Sequence, residues 1–247
     1  MKYNYQIIIE YLGSNFVGWQ IQNNGKSIQE IVQKALLKTF KSKIKIIGSG
    51  RTDAGVHAIG QSANFFLNEK IKNKIRSLST INFYLKKYPI SILDLKRKNL
   101  NFHARFSAKK RLYEYLIINR KSKLSVDNGK AWLVKKKLDL KAMKKSIKIL
   151  IGIHDFSTFR SSSCGAKTPV RKMIKASIVK TNNKIIFKFE SQSFLQQQVR
   201  SMVGCLKYVG DNKWTIKKFQ NVFKSKKRVF CAPPAPPEGL YLKKVFY

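Results

Sequence analysis

Acidic residues are scarce in this sequence. The 247 residues include 12 Asp and Glu against 51 Lys and Arg, for a formal net charge of +39. Too few carboxylates remain to build the clusters that two-metal nucleases need. The opposite excess points to a polyanionic partner, most simply nucleic acid. The chain is also rich in Lys, Ile, Asn, Phe and Ser, so part of the lysine excess fits plain solvated surface. The charge therefore names a class of partner without locating a site. Cysteine is scarce too: Cys164, Cys205 and Cys231 are scattered with no Cys-x-x-Cys pair, which supports neither a disulfide framework nor a zinc site. His57, His103 and His154 stand apart and do not make a metal centre. No apolar run approaches the roughly 18 residues of a membrane span, and Met-Lys-Tyr-Asn-Tyr-Gln lacks a signal-peptide core. Reduced thiols and a cytoplasmic location are the expectation.

What is present is concentrated. Gly48 to Gln61 holds four of the 13 glycines in 14 residues, with Arg51, Asp53 and His57 among them. Apolar segments on either side, Ile44 to Ile47 and Ala58 to Phe66, read as strands, which puts Asp53 on a glycine-hinged loop. Glycines there admit unusual backbone conformations and a close ligand. The loop is neither a P-loop nor a Gly-x-Gly-x-x-Gly turn. Two readings of Asp53 stand: a turn residue bonding its own backbone, or a reactive carboxylate kept ionised by an arginine, acting as nucleophile or general base.

Apolar content of 43% supports a sizeable core in one large domain or two modest ones. Tyr5 to Tyr11 alternates as a strand. Ser27-Ile28-Gln29-Glu30 is a capping box opening a helix through Phe40. A second helix is expected over Lys70 to Leu85, with Ile71, Ile75, Leu78 and Asn82 on its stripe, and a strand over Ser91 to Lys96. The second half repeats the order: a strand at Arg111 to Ile118, a helix at Leu138 to Ile151, and a hairpin whose Asn182-Asn183 turn suits type I′. A helix at Phe194 to Val209, another at Trp214 to Lys224 and a strand at Leu240 to Phe246 follow. Both halves fit the split βαβ pattern. The expectation is an α+β fold of two ferredoxin-like halves, 1–104 and 105–247, sharing a continuous mixed, mainly antiparallel sheet with helices on one face. Ala232 to Pro237, Ala-Pro-Pro-Ala-Pro-Pro, should be stiff and extended.

In the second half, Tyr113 and Tyr115 share a strand face and suit either the core or stacking on an unpaired base. Arg200 sits beside the apolar stripe of its helix, where it either snorkels to water or meets an anionic partner such as Asp53. Cys164 lies in a Ser-rich loop, Arg160 to Lys167, near several cations, and suits a loop role or an RNA contact better than nucleophilic catalysis.

At these residues the chain resembles the tRNA pseudouridine synthase A (TruA) family. The motifs are Gly50-Arg-Thr-Asp-Ala-Gly-Val-His-Ala-x-Gly-Gln61, Gly18-Trp19-Gln20-x-Gln22, Phe102-His-Ala-Arg-Phe-Ser-Ala108, Arg111-x-Tyr113-x-Tyr115, His154-Asp155-Phe156, Phe194-Leu195 through Val199-Arg200, and Gly239-Leu240-Tyr241-Leu242. Their order over nearly the whole chain is the specific feature. The resemblance implies isomerisation of uridine to pseudouridine at positions 38, 39 and 40 in the anticodon arm of tRNA. It implies a homodimer working without metal or organic cofactor. Carried over residue by residue, Asp53 is the catalytic aspartate, Arg200 pairs with it, Tyr113 packs on the target base and Arg51 helps displace the flipped nucleotide. The sequence departs from the family's usual pattern at Leu12, Ser62, Asn64 and Gln198. A basic RNA-binding protein without catalysis is the main rival.

Overall fold

The computed structural model describes residues 1–247. It divides into two compact units, Met1–Lys109 with Leu242–Tyr247, and Lys110–Tyr241. In the first unit, β1 (Tyr3–Tyr11) is followed by α1 (Ile28–Phe40), β2 (Ile47–Gly48), β3 (His57–Leu67), α2 (Lys74–Leu85) and β4 (Ile90–Lys98). β1 pairs antiparallel with β3 on one side and β4 on the other, and β2 pairs antiparallel with β3. Each helix thus crosses one intervening strand, the split βαβ arrangement.

Ser27 caps α1 through Oγ, which accepts the Glu30 N–H at 3.2 Å. The helix buries Ile28, Ile31, Val32, Ala35 and Leu36. Beneath the helices lies the apolar sheet face of Tyr5, Ile7, Ile9, Ala63 and Phe65, all buried. Its pairing follows the two-residue alternation of strands. The opposite face is polar yet buried at Asn4, Gln6, Ser62 and Asn64. Burial of such groups is tolerable only when their hydrogen bonds are made, and here they are. Gln6 donates to Ser62 Oγ at 2.8 Å, Asn64 donates to Asn4 Oδ1 at 3.0 Å and accepts the Ala104 N–H at 2.9 Å. Asn4 donates to the Phe102 carbonyl at 2.7 Å, and the Tyr247 hydroxyl lies 2.8 Å from both Ser62 Oγ and the Ala104 carbonyl. The unusual Ser62 and Asn64 are therefore partnered.

Two expectations for this unit need correction. The second helix starts at Lys74, not Lys70, because the Asn73 side chain accepts the Arg76 N–H at 2.9 Å and caps it there. Its buried residues are Ile81 and Leu85, whereas Ile75 points to solvent. The segment before the Asp53 loop pairs as strand only at Ile47–Gly48.

The second unit runs β5 (Lys110–Asn119), β6 (Trp132–Val134), α3 (Leu140–Lys148), β7 (Gly152–Asp155), β8 (Val170–Thr181), β9 (Lys184–Ser191), α4 (Gln198–Gly210) and α5 (Ile216–Lys224). The final strand, β10 (Leu240–Phe246), leads out of this unit into the first. β5, β9, β8 and β7 pair antiparallel in that order, and the short β6 lies parallel to β5. The class is α+β. Phe156, Phe159, Phe219 and Phe223 cluster under the helices, with centroid separations from 5.4 to 6.5 Å. The hairpin turn is not type I′: Asn182 has φ 54°, but Asn183 is not left-handed, and that turn needs both. The helix expected from Phe194 begins at Gln198, after Gln197 takes a left-handed conformation at φ 61°.

Candidate active site

The first unit places Arg51 and Asp53 two residues apart on the loop between β2 and β3. The loop is clamped from several directions. The buried Thr52 side chain lies 2.8 Å from the Tyr11 hydroxyl, and its carbonyl accepts the Trp19 N–H at 3.1 Å. Gln61 donates to the Gly50 carbonyl at 2.8 Å, and its Oε1 lies 2.7 Å from Ser49 Oγ. The Asp53 carbonyl accepts the Val56 N–H at 3.2 Å, which closes the turn through Gly55 at φ 76°. Gly18 is left-handed at φ 109°, and a Cβ there would come within 2.6 Å of the Thr52 carbonyl. Backbone thus lies directly on backbone beneath the loop. Asp53 itself is half-buried and Arg51 exposed. The turn reading and the reactive-carboxylate reading are compatible: the backbone makes the turn, and the side chain is carried by it.

Tyr113 and Arg200 belong to the second unit. Tyr113 is buried on β5, edge-on to the Phe194 ring at 5.1 Å and 80°. Arg200 stands in the first turn of α4, half-buried, and its Nε donates to the Ala235 carbonyl at 2.7 Å. Just ahead of it, Gln198 is fully buried with Oε1 accepting the Leu195 N–H at 2.8 Å, so this departure from the family pattern braces the helix start. Tyr115, sharing Tyr113's face, is wholly buried.

Other candidates fall into lesser roles. His154 is held by the Ile151 carbonyl at 2.8 Å, and His57 by Gly13. Burial tends to raise the Cys164 thiol, but the N–H groups of Gln196 and Ala166 and the Arg160 cation outweigh it and hold the thiol below its ordinary range. No group of three or more His, Cys, Asp or Glu side chains comes together for a metal to share. No helix is long and apolar enough to cross a membrane. A cavity of about 580 Å³ between α3 and β8 is lined by Lys141, Lys144, Lys145 and Lys148 with Ile147 and Ile178. Sequence reading missed this lysine row, although the spacing of the four lysines on one helix is its visible sign.

A family model described as tRNA pseudouridine synthase matches residues 7–107 and 147–247. The chain belongs to the tRNA pseudouridine synthase A family. Among its relatives, the tRNA pseudouridine synthase A of Pelagibacter ubique is 56% identical over 245 residues, covering 99% of this chain and all of that protein. Those of Parvibaculum lavamentivorans and Afipia carboxidovorans are 44% and 40% identical over 244 residues, each with 98% of this chain covered and 98% and 99% of the relative. The synthase is thus an enzyme of the isomerase class, and its Asp53 loop lies within the first matched stretch.

Proposed function

We propose that this synthase converts uridine to pseudouridine at positions 38, 39 and 40 in the anticodon stem-loop of tRNA, with Asp53 as the catalytic carboxylate. The observation that carries the reading is the clamped loop: its backbone is fixed by Thr52, Gln61 and Gly18, and it carries Asp53 half-buried, two residues after the exposed Arg51. A fixed carboxylate is what transition-state complementarity requires. The net reaction is an isomerisation. The N1–C1′ bond breaks, the base turns, C5 bonds to C1′, C5 loses its proton and N1 gains one. The carboxylate can attack the sugar, attack the base or take a proton.

The target base must leave its stack, which costs a few kcal/mol. Arg51 and Tyr113 are suited to offset that cost, one filling the vacated place and the other packing on the flipped ring. Arg200 serves as counter-charge to the aspartate, keeping it ionised in a site that has expelled water. The lysines of α3 and the general basic surface suit phosphate contacts. A homodimer in the cytoplasm, working without a metal or organic cofactor, completes the reading.

The test is tritium release from C5-labelled uridine in tRNA, run with EDTA present. Wild type should release tritium, and Asp53→Asn should bind tRNA while releasing none. A wild type that releases no tritium from any tRNA, or an Asp53→Asn variant with wild-type release, overturns the assignment and favours a non-catalytic RNA-binding protein.

A further inference from the structure

The proline-rich segment Ala232–Pro237 meets α4 backbone to backbone at Gly204. A Cβ placed on Gly204 would lie 2.1 Å from the Pro233 carbonyl oxygen, so only glycine lets the two backbones touch there. Gly204 follows Arg200 by four residues, one helical turn, and so shares its face. The segment also grips Arg200 itself at two points. The Ala235 N–H donates to the Arg200 carbonyl at 2.9 Å, and Arg200 Nε donates to the Ala235 carbonyl at 2.7 Å. With Nε held, the guanidinium plane is set, and the direction of its Nη edge follows the position of the segment.

The segment is itself well anchored. Prolines at 233, 234, 236 and 237 fix most of its φ angles, and Pro236 is extended at φ −52°, ψ 146°. The wholly buried Tyr115 hydroxyl donates to the Pro236 carbonyl at 2.8 Å. Burial pushes the Tyr115 phenol up, with Glu238 adding to the effect, so it stays a protonated donor. Just beyond, Gly239 rests flat on the same ring, since a Cβ there would lie 2.5 Å from its Cζ. A stiff rod bears on Gly204 and Tyr115 and hands its carbonyl to Arg200.

We propose that Tyr115 and Gly204 are positioning residues for Arg200, acting through the Ala232–Pro237 rod rather than touching substrate. The proposal rests on the role given above to Arg200. A plain structural stitch would also hold the rod, so the test must read the chemistry apart from stability.

The experiment measures kcat and KM for tRNA, with thermal unfolding alongside, for Tyr115→Phe, Gly204→Ala, Arg200→Lys and Arg200→Ala, and for Tyr115→Phe combined with Arg200→Lys. Tyr115→Phe keeps the ring and removes one hydrogen bond. It should lower kcat about 10-fold with KM changed less than about 2-fold. Gly204→Ala should lower kcat further in the same direction. The decisive reading is the double variant: if Tyr115 acts through Arg200, its penalty should largely vanish once Arg200 is already altered. Penalties that multiply, or a lowered Tm with kcat intact, overturn the proposal. Wild-type turnover in Arg200→Lys and Arg200→Ala, with Asp53→Asn inactive, would instead remove Arg200 from the site, a failure of the underlying reading and separable from the first.

Discussion

His57 accepts the Gly13 backbone N–H on Nδ1 at 2.8 Å. The ring is wholly buried, so its proton must sit on Nε2 and its place is fixed by that bond. Gly13 in turn packs so closely that a Cβ would come 2.1 Å from the Val56 carbonyl. The histidine of the Asp53 loop is thus a brace between two chain segments. His57→Ala should leave a buried donor unpaired beside a void and cost about 2–4 kcal/mol. Urea unfolding should show it, and tritium release should fall with it. An unchanged urea midpoint would show that the brace carries no strain of the fold.

The thiols of Cys205 and Cys231 lie 3.4 Å apart, with Arg228 Nη1 at 3.4 Å from Cys231. The hydrogen bond between them divides the pair: it lowers Cys231, helped by the Arg228 charge, and together with burial it raises Cys205. The thiolate is the nucleophile. Limiting iodoacetamide near neutral pH should therefore alkylate Cys231 well before the fully buried Cys205, as read by peptide mass spectrometry. Equal labelling of the two in the folded protein would contradict this division. Arg228→Ala should slow Cys231 labelling.

Asp94, midway along β4, lies 2.8 Å from Lys96 and 3.2 Å from Lys74 at the start of α2. Burial alone would raise its carboxyl, but hydrogen bonds from Lys96, Lys74 and the Leu95 N–H hold it below the ordinary carboxylate range. A depressed folded-state value stabilises the fold above the unfolded carboxyl's range, near 3.9, and that stability is lost as pH falls through the folded value. For so exposed a pair the gain is about 0.5–1 kcal/mol. Asp94→Asn should lower the urea midpoint at pH 7, less so in high salt, and the gap should shrink as pH falls below the unfolded carboxyl's range. A gap that widens in acid would refute the assignment.

The Asp53 loop is legible in the sequence because dense glycines and a lone carboxylate stand out in a lysine-rich chain. Its clamps are harder to see: Tyr11, Trp19 and Gln61 look like ordinary strand and loop residues until the chain is folded. The α2 error has a local cause. Ile71 and Ile75 are helically spaced, but Asn73 takes the cap between them, and the Ile71 N–H is held by the Tyr5 hydroxyl at 2.8 Å. Short-range capping outvoted periodicity. β6, three residues long, is too brief to leave a pattern. The buried polar face is invisible for another reason. Asn4 and Asn64 find partners near residue 100, and Ser62 finds one at Tyr247, so spacing along the chain says nothing of their satisfaction.

Leu242–Tyr247 belongs with Met1–Lys109, and the Gly60 position is so tight that a Cβ would lie 2.6 Å from the Lys243 carbonyl. On the ribosome, the amino-terminal unit therefore emerges first but waits for the last strand to be made. Until then the surface that Leu242–Tyr247 covers, Gly60 among it, stays open to chaperones and to neighbouring nascent chains.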